Sequence, residues 1–264
     1  MSTIIHQLNV CRAVAIATFK EWSVYRTHTL VSVFVGPVYF AVQYFIWTAV
    51  YGAGAQLGGM DLDSMIRYFG ATALIGYLTM NFADWNLGML VRSGKFLTFA
   101  LRPIHHRFFA LSQKIGHRAL GLVLEFLPCL LIIHFLFGVD MRPASIPWAL
   151  LSVSLAFLVN FYFNYILGLV SFWFVRVDGV RSIIHFFFGI LSGAFFPLVL
   201  FPGWLQQVMF FLPFQYAVFV PGMVYVGQFT PIMVGYQAVA VLVLYAVSEF
   251  VYRRAMRHFC DVGA

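Results

Sequence analysis

Charge is scarce in this chain. Only 9% of its 264 residues are Asp, Glu, Lys or Arg, against about 25% in ordinary soluble domains. With 62% hydrophobic residues and a mean hydropathy of +0.89, that shortage argues against a soluble fold and for one integral membrane domain over 1–264, with no soluble domain attached. Cysteine is also rare. Cys11, Cys129 and Cys260 lie far apart and make no CxxC pair, so neither a disulfide framework nor a zinc site is signalled. No GxxxxGK[ST] run is present, so the chain lacks a loop to cradle nucleotide phosphates, and HExxH and GxSxG are missing too. No catalytic residue and no metal ligand is assigned. Residues 1–20 lack the uninterrupted apolar core and small-residue cleavage site of a secretory signal.

Long apolar runs are present instead. Crossing a bilayer as a helix takes about 20 residues, and the hydrophobic pattern predicts spans at 28–51, 65–86, 120–137, 148–175, 182–197 and 231–252. Ahead of them, residues 3–26 read as an amphipathic interfacial helix. Ile4, Leu8, Cys11, Val14, Ala15, Phe19 and Trp22 share one face at 100° per residue, and His6, Asn9, Arg12, Lys20 and Ser23 the other. The same helix could instead extend the first span. The expected fold class is an all-α integral membrane protein.

The net charge of +7 is not read as a nucleic-acid footprint, because the basic residues fall between apolar spans. With six spans, Arg12, Lys20, Arg26, the loop cations, Arg176, Arg181, Arg253, Arg254 and Arg257 share one side. Arg67 and Arg142 lie on the other, beside Asp61, Asp63 and Asp140. The positive-inside rule then puts both termini in the cytoplasm.

Residues 198–230 are too apolar for a free loop, yet Pro202, Gly203, Pro213, Pro221 and Gly222 interrupt them too often for a regular span. A re-entrant helical hairpin in the outer leaflet meets both conditions, provided protein or a cavity surrounds it.

Residues 87–118 carry six of the sixteen Lys and Arg residues: Arg92, Lys95, Arg102, Arg107, Lys114 and Arg118. Orientation alone would not require Phe96, Leu97, Phe99, Phe108 and Phe109 among them. A short amphipathic helix on the membrane surface would, resting on anionic lipid or docking into a soluble partner. His105, His106 and His117 read as polar loop residues, since adjacent histidines on a helix diverge by about 100°.

Acids in hydrocarbon are functional candidates by default. Asp84 and Glu249 fall near cytoplasmic span ends, and Glu125 lies about a turn and a half inside the third span. Gly189 and Gly193 form a GxxxG, which admits a close helix neighbour or a hinge.

Taken together, these features resemble the permease subunits of the ABC-2 family of ATP-binding-cassette exporters, over nearly the whole chain. Within it, Gly94, Lys95, Leu101, Arg102 and Pro103 in the loop, and Leu212, Pro213, Phe214, Pro221 and Gly227 near the end, resemble a bacterial branch of such permeases. The resemblance implies a fold of the ABC-2, type V exporter kind in the bacterial inner membrane. It also implies a cytoplasmic coupling helix within 87–118 that docks into a separate ATPase subunit through Arg92, Lys95, Phe96, Leu101, Arg102 and Arg107. ATP and Mg would bind that ATPase, and no cofactor this chain. A second permease copy or a paralogue would complete the pathway. Candidate pathway residues are Asn81, Glu125, Asn160, Asn164, Gly189 and Gly193, which suit an amphipathic or hydrophobic substrate. The hairpin residues Pro202, Pro213, Phe214 and Pro221 would cap its outer end. An ATP-independent transporter or channel is the alternative; it would usually show internal repeats or paired ionisable residues in mid-membrane, and no convincing repeat is found. A membrane enzyme lacks its catalytic constellation.

Overall fold

The computed structural model describes residues 2–24, 32–54, 59–100, 102, 104–174 and 178–262, and the chain there is all-helical. Helix α1 is Ser2–Val24, α2 Val35–Gly52, α3 Leu62–Thr79, α4 Ala83–Arg92, α5 Leu97–Ala100 and α6 His106–Gly121. A π-helical turn, Leu122–Phe126, joins α6 to α7, Leu127–Phe137. Helix α8, Ile146–Leu169, ends in a 3-10 turn, Val170–Phe172. Then come α9, Asp178–Leu191, α10, Gly203–Phe211, α11, Phe219–Val226, and α12, Pro231–Val262.

Among the described residues, three stretches are long and apolar enough to cross a membrane: His106–Phe137, Ile146–Phe172 and Pro231–Phe259. The other expected spans come out shorter, each for a local reason. The start of 28–51 lies outside the described residues, and α2 keeps 18 residues. The stretch 65–86 is broken at Met80–Phe82, where Asn81 brackets the break. Its Nδ2 donates to Thr79 O and its Oδ1 accepts from Ala83 N, both at 3.3 Å. A short amide side chain that bonds its own neighbouring backbone competes with the helix ladder. At the other end α3 starts cleanly, because Asp61 accepts from Ser64 N at 3.3 Å, as an N-cap should. Hydrogen bonding from the Ser64 side chain, and then from its backbone N–H, holds the Asp61 carboxyl below its ordinary range.

The third span starts earlier than the hydropathy suggests. His105 Nδ1 accepts from Arg107 N at 3.3 Å, and the helix runs 32 residues from His106 to Phe137. Much of the stretch read as loop is therefore the first half of that rod. The π turn follows from Pro128, which has no N–H to give and crowds the carbonyl four residues back.

Of the stretch 182–197 only 182–191 is helical, as part of the 14-residue α9, which is about 21 Å long and is followed by a turn. Gly193 lies outside α9 with φ +87°, a conformation that favours glycine. Its carbonyl accepts from the Tyr68 hydroxyl at 2.8 Å. A Cβ at Gly189 would stand 2.6 Å from the Phe195 ring. The GxxxG pair is thus not one small-residue helix face: one glycine packs against its own chain and the other turns it.

The prolines of 198–230 sit where helices begin. Pro202 precedes α10, Pro213 opens a 3-10 turn, and Pro221 lies in the first turn of α11, positions that tolerate a missing N–H. Phe219–Tyr225 are buried, with α11 packed against α3 and α8. Phe214 meets Phe163 and Phe188, each at 5.7 Å between ring centroids. The Tyr225 hydroxyl donates to Met141 O, and Ala144 N to Tyr225 O at 3.0 Å. The irregular turn at Gln215–Ala217 is buried, whereas Pro202–Trp204 and Phe211 are exposed.

Helix α1 packs along α6. A Cβ at Gly116 would fall 2.2 Å from Ala15 O, so only glycine admits this crossing. Cys11, Val14 and Ala15 are half-buried and Thr18 buried, whereas Ile16 and Phe19 are exposed. Within the stripe expected to face acyl chains, Cys11, Val14 and Ala15 are partly covered by the protein itself, while Phe19 and Trp22 stay exposed.

Candidate functional site

The cationic stretch is built from α4, α5 and α6. Its charges do not stand together as the loop pattern suggested, because the chain turns between them and gives each helix different neighbours.

At α4, Arg92 Nη1 donates to Asp178 Oδ2 at 2.8 Å, tying α4 to the start of α9. Asp84, buried in the first turn of α4, faces His185 Nε2 at 2.9 Å and Arg181 Nε at 3.7 Å, both from α9. Its place near a helix N-terminus also suits a carboxylate.

After α4 the chain bends at Ser93–Gly94. Phe96 turns inward and is 1% exposed, its ring 5.3 Å from His106, 4.9 Å from Phe172 and 5.6 Å from Phe259. It anchors the bend to the ends of α8 and α12. Lys95, Leu97, Thr98 and Arg102 are exposed. Arg102 lies 4.3 Å over the Phe99 ring, a cation–π contact that leaves its outer edge free.

At the start of α6, Arg107 is 2% exposed. Its Nη1 reaches Glu249 Oε2 and Ser248 Oγ, each at 3.1 Å, and its guanidinium lies 4.2 Å over Tyr245. All three belong to α12. Arg253 Nε also donates to Glu249, at 2.7 Å. Burial, and then Arg107 beside it, lower the pKa of His105, so at neutral pH its 3.6 Å approach to Glu249 is no ion pair. His106 is buried, its Nδ1 3.2 Å from the Tyr165 hydroxyl on α8.

At the end of α6, Arg118 Nη1 donates to Tyr77 O at 2.6 Å and lies 3.4 Å from Glu125 Oε2. The Ser32 hydroxyl donates to the other oxygen of Glu125 at 2.7 Å. His117, read from sequence as a loop residue, has its ring 4.2 Å from that of Trp22 of α1, tilted by 35°.

The expected ATPase-contact residues therefore separate. Lys95 and Arg102 are presented outward. Arg92 pairs within the chain. Phe96 and Arg107 are interior, both packed inside the fold. Leu101 lies outside the described residues. The pathway candidates Asn81, Glu125, Asn160 and Asn164 each bond within the chain. Asn81 brackets a helix break and Glu125 is paired. Asn160 and Asn164 donate their amides to Ala156 O and Asn160 O, at 3.1 and 2.8 Å, within their own helix.

Sequence reasoning missed Asp178, Arg181 and His185 as partners of the stretch, and Ser248 and Tyr245 as seats for Arg107. Asp178 and Arg181, three apart at a helix start, were the available signal; the α12 residues gave none. It also missed Gln237, which is fully buried.

The sequence model of a family described as "ABC-2 family transporter protein" matches residues 38–263. Among curated proteins, none matches the chain.

Proposed function

Because the chain belongs to the ABC-2 transporter family, we propose that it is the permease subunit of an ATP-driven exporter, passing an amphipathic or hydrophobic substrate across the bacterial inner membrane. A separate ATPase binds ATP and Mg, and a second permease, identical or paralogous, completes the pathway. Both termini face the cytoplasm. Six passages are built from α2, α3 with α4, α6 continuing into α7, α8, α9 and α12, and the segment around α10 and α11 closes the outer end.

The observation that carries this reading is the exposed tip at Lys95, Leu97 and Arg102, mounted on buried anchors. An ATPase that grips the tip pulls on α4, α5 and the start of α6. Phe96 passes that displacement to the ends of α8 and α12, Arg107 to α12 through Glu249, and Arg92 to α9 through Asp178. Helix α6 then carries it into α7 as one rod. Motion at the tip becomes motion of the pathway only if ATP-bound and ATP-free partners favour different helix arrangements.

The test is reconstitution with the ATPase in vesicles. ATP-dependent transport and stimulated hydrolysis are expected with amphipathic or hydrophobic compounds. Preference for a small sugar or ion sinks the substrate class, and failure to associate with any ATPase sinks the exporter.

A further inference from the structure

A cleft of about 670 Å³ opens beside the last turns of α12, lined by Trp173, Phe250, Val251, Arg254, Arg257 and His258. Residues 250, 254, 257 and 258 recur on one helix face. Trp173, just past the 3-10 turn that ends α8, forms the opposite wall, its ring stacked on His258 at 6.0 Å and 15°. The Arg254 guanidinium lies 5.5 Å over Phe250.

Two properties set this cleft apart from the ion-paired clusters. Arg254 and Arg257 are exposed, and among the described residues neither has a carboxylate partner, unlike Arg92, Arg107, Arg118, Arg181 and Arg253. Phe250 and Trp173 are exposed as well, on or beside stretches apolar enough to cross a membrane. Cations therefore stand about a turn beyond open apolar surface.

We propose that this cleft binds one anionic phospholipid. Arg254 and Arg257 hold the phosphodiester, for which guanidinium geometry is suited. Phe250, Val251 and Trp173 cover the first methylenes of a chain, in the interfacial position that tryptophan favours. An acidic soluble partner would satisfy the arginines but leave that apolar wall uncovered; a phospholipid satisfies both. The inference rests on the membrane-subunit reading with the end of α12 on the cytoplasmic face, where anionic lipid attracts juxtamembrane cations.

The experiment uses the full chain in vesicles of phosphatidylglycerol and phosphatidylcholine, with bromine on the chains of one lipid at a time. The Trp173 signal is the fluorescence difference between wild type and Trp173→Phe. Brominated phosphatidylglycerol is expected to quench it beyond its share of the bilayer, and brominated phosphatidylcholine is not. Arg254→Gln with Arg257→Gln should cut that preference by roughly tenfold, while Arg254→Lys with Arg257→Lys retains most of it in a correctly folded chain. Equal quenching by the two lipids, or a double Gln variant that keeps the preference, overturns the proposal. Relief of the quenching by millimolar inorganic phosphate would mark a simple anion site and overturn it too. So would a double Gln variant that loses the ATPase yet keeps its lipid preference, since the arginines would then serve a protein. The readout is lipid contact and not transport, so its failure is distinguishable from failure of the exporter reading.

Discussion

Arg107 and Glu249 meet at 3.1 Å across α6 and α12, with the arginine 2% exposed and the glutamate side chain 25% exposed. The pair is unequal. Arg107 depends on Glu249 for its countercharge, whereas Glu249 also holds Arg253. Removing Glu249 strands a buried cation, a change that costs roughly 3 to 5 kcal/mol in fully buried pairs and less here, because water reaches the carboxylate. Removing Arg253, 72% exposed in its side chain, costs about 0.5 kcal/mol or less. Unfolding midpoints in detergent should therefore fall clearly for Glu249→Ala and barely for Arg253→Ala. Equal midpoints would mean that Arg107 is satisfied elsewhere.

The exposed tip and its anchor should separate in the same way. Lys95→Glu with Arg102→Glu changes two outward side chains and should leave the unfolding midpoint near wild type, while co-purification of the ATPase and stimulation of its hydrolysis fall. Phe96→Ala empties a buried aromatic site, which typically costs about 3 to 5 kcal/mol, and lowers the midpoint directly. Wild-type ATPase recovery with the charge-reversed tip would remove the docking role from these two residues.

Gly116 sets the seat of α1. Any side chain there collides with the Ala15 carbonyl, and backbone cannot swing aside as a flexible side chain can. Gly116→Ala should lift α1 off α6 and speed tryptic cleavage at Arg12 and Lys20. Gly235→Ala is the control, since nothing lies within 4 Å of the added atom and alanine favours a helix by about 1 kcal/mol over glycine. Equal cleavage of the two variants would argue against a tight crossing.

The helical class and the proline breaks in 198–230 could be read along the chain, because each depends on neighbours within a turn or two. The charge clusters could not. Arg92 and Asp178 are 86 positions apart, and Arg107 and Ser248 141 apart, so six cations that are neighbours in sequence looked like one surface. The fold pairs Arg92 with α9, Arg107 with α12 and Arg118 with α3 and the π turn, and leaves Lys95 and Arg102 exposed. The early start of the third span was hidden likewise: Lys114 and Arg118 marked a boundary by hydropathy, yet partnered or packed charges let a helix continue.

Gln237 offers a last test, on α12 and far from the cationic bend. It is fully buried. Its Nε2 donates to Ser152 O and Tyr216 O, each at 2.9 Å, and its Oε1 accepts from Ser152 Oγ at 2.8 Å. One amide thus joins α12 to α8 and to the irregular segment after α10, satisfying a Tyr216 carbonyl in the 3-10 turn. Gln237→Leu has nearly the right volume but leaves that carbonyl and the Ser152 hydroxyl without this partner. Each stranded buried group costs about 1 to 3 kcal/mol, so the midpoint should fall further than for Glu249→Ala. Adding Ser152→Ala removes one stranded group and should restore part of the loss, while Tyr216 O stays unpaired. If Gln237→Leu matched wild type, water would be reaching Tyr216 O, and the segment around α10 and α11 would be open to solvent at this depth and not sealed by packing.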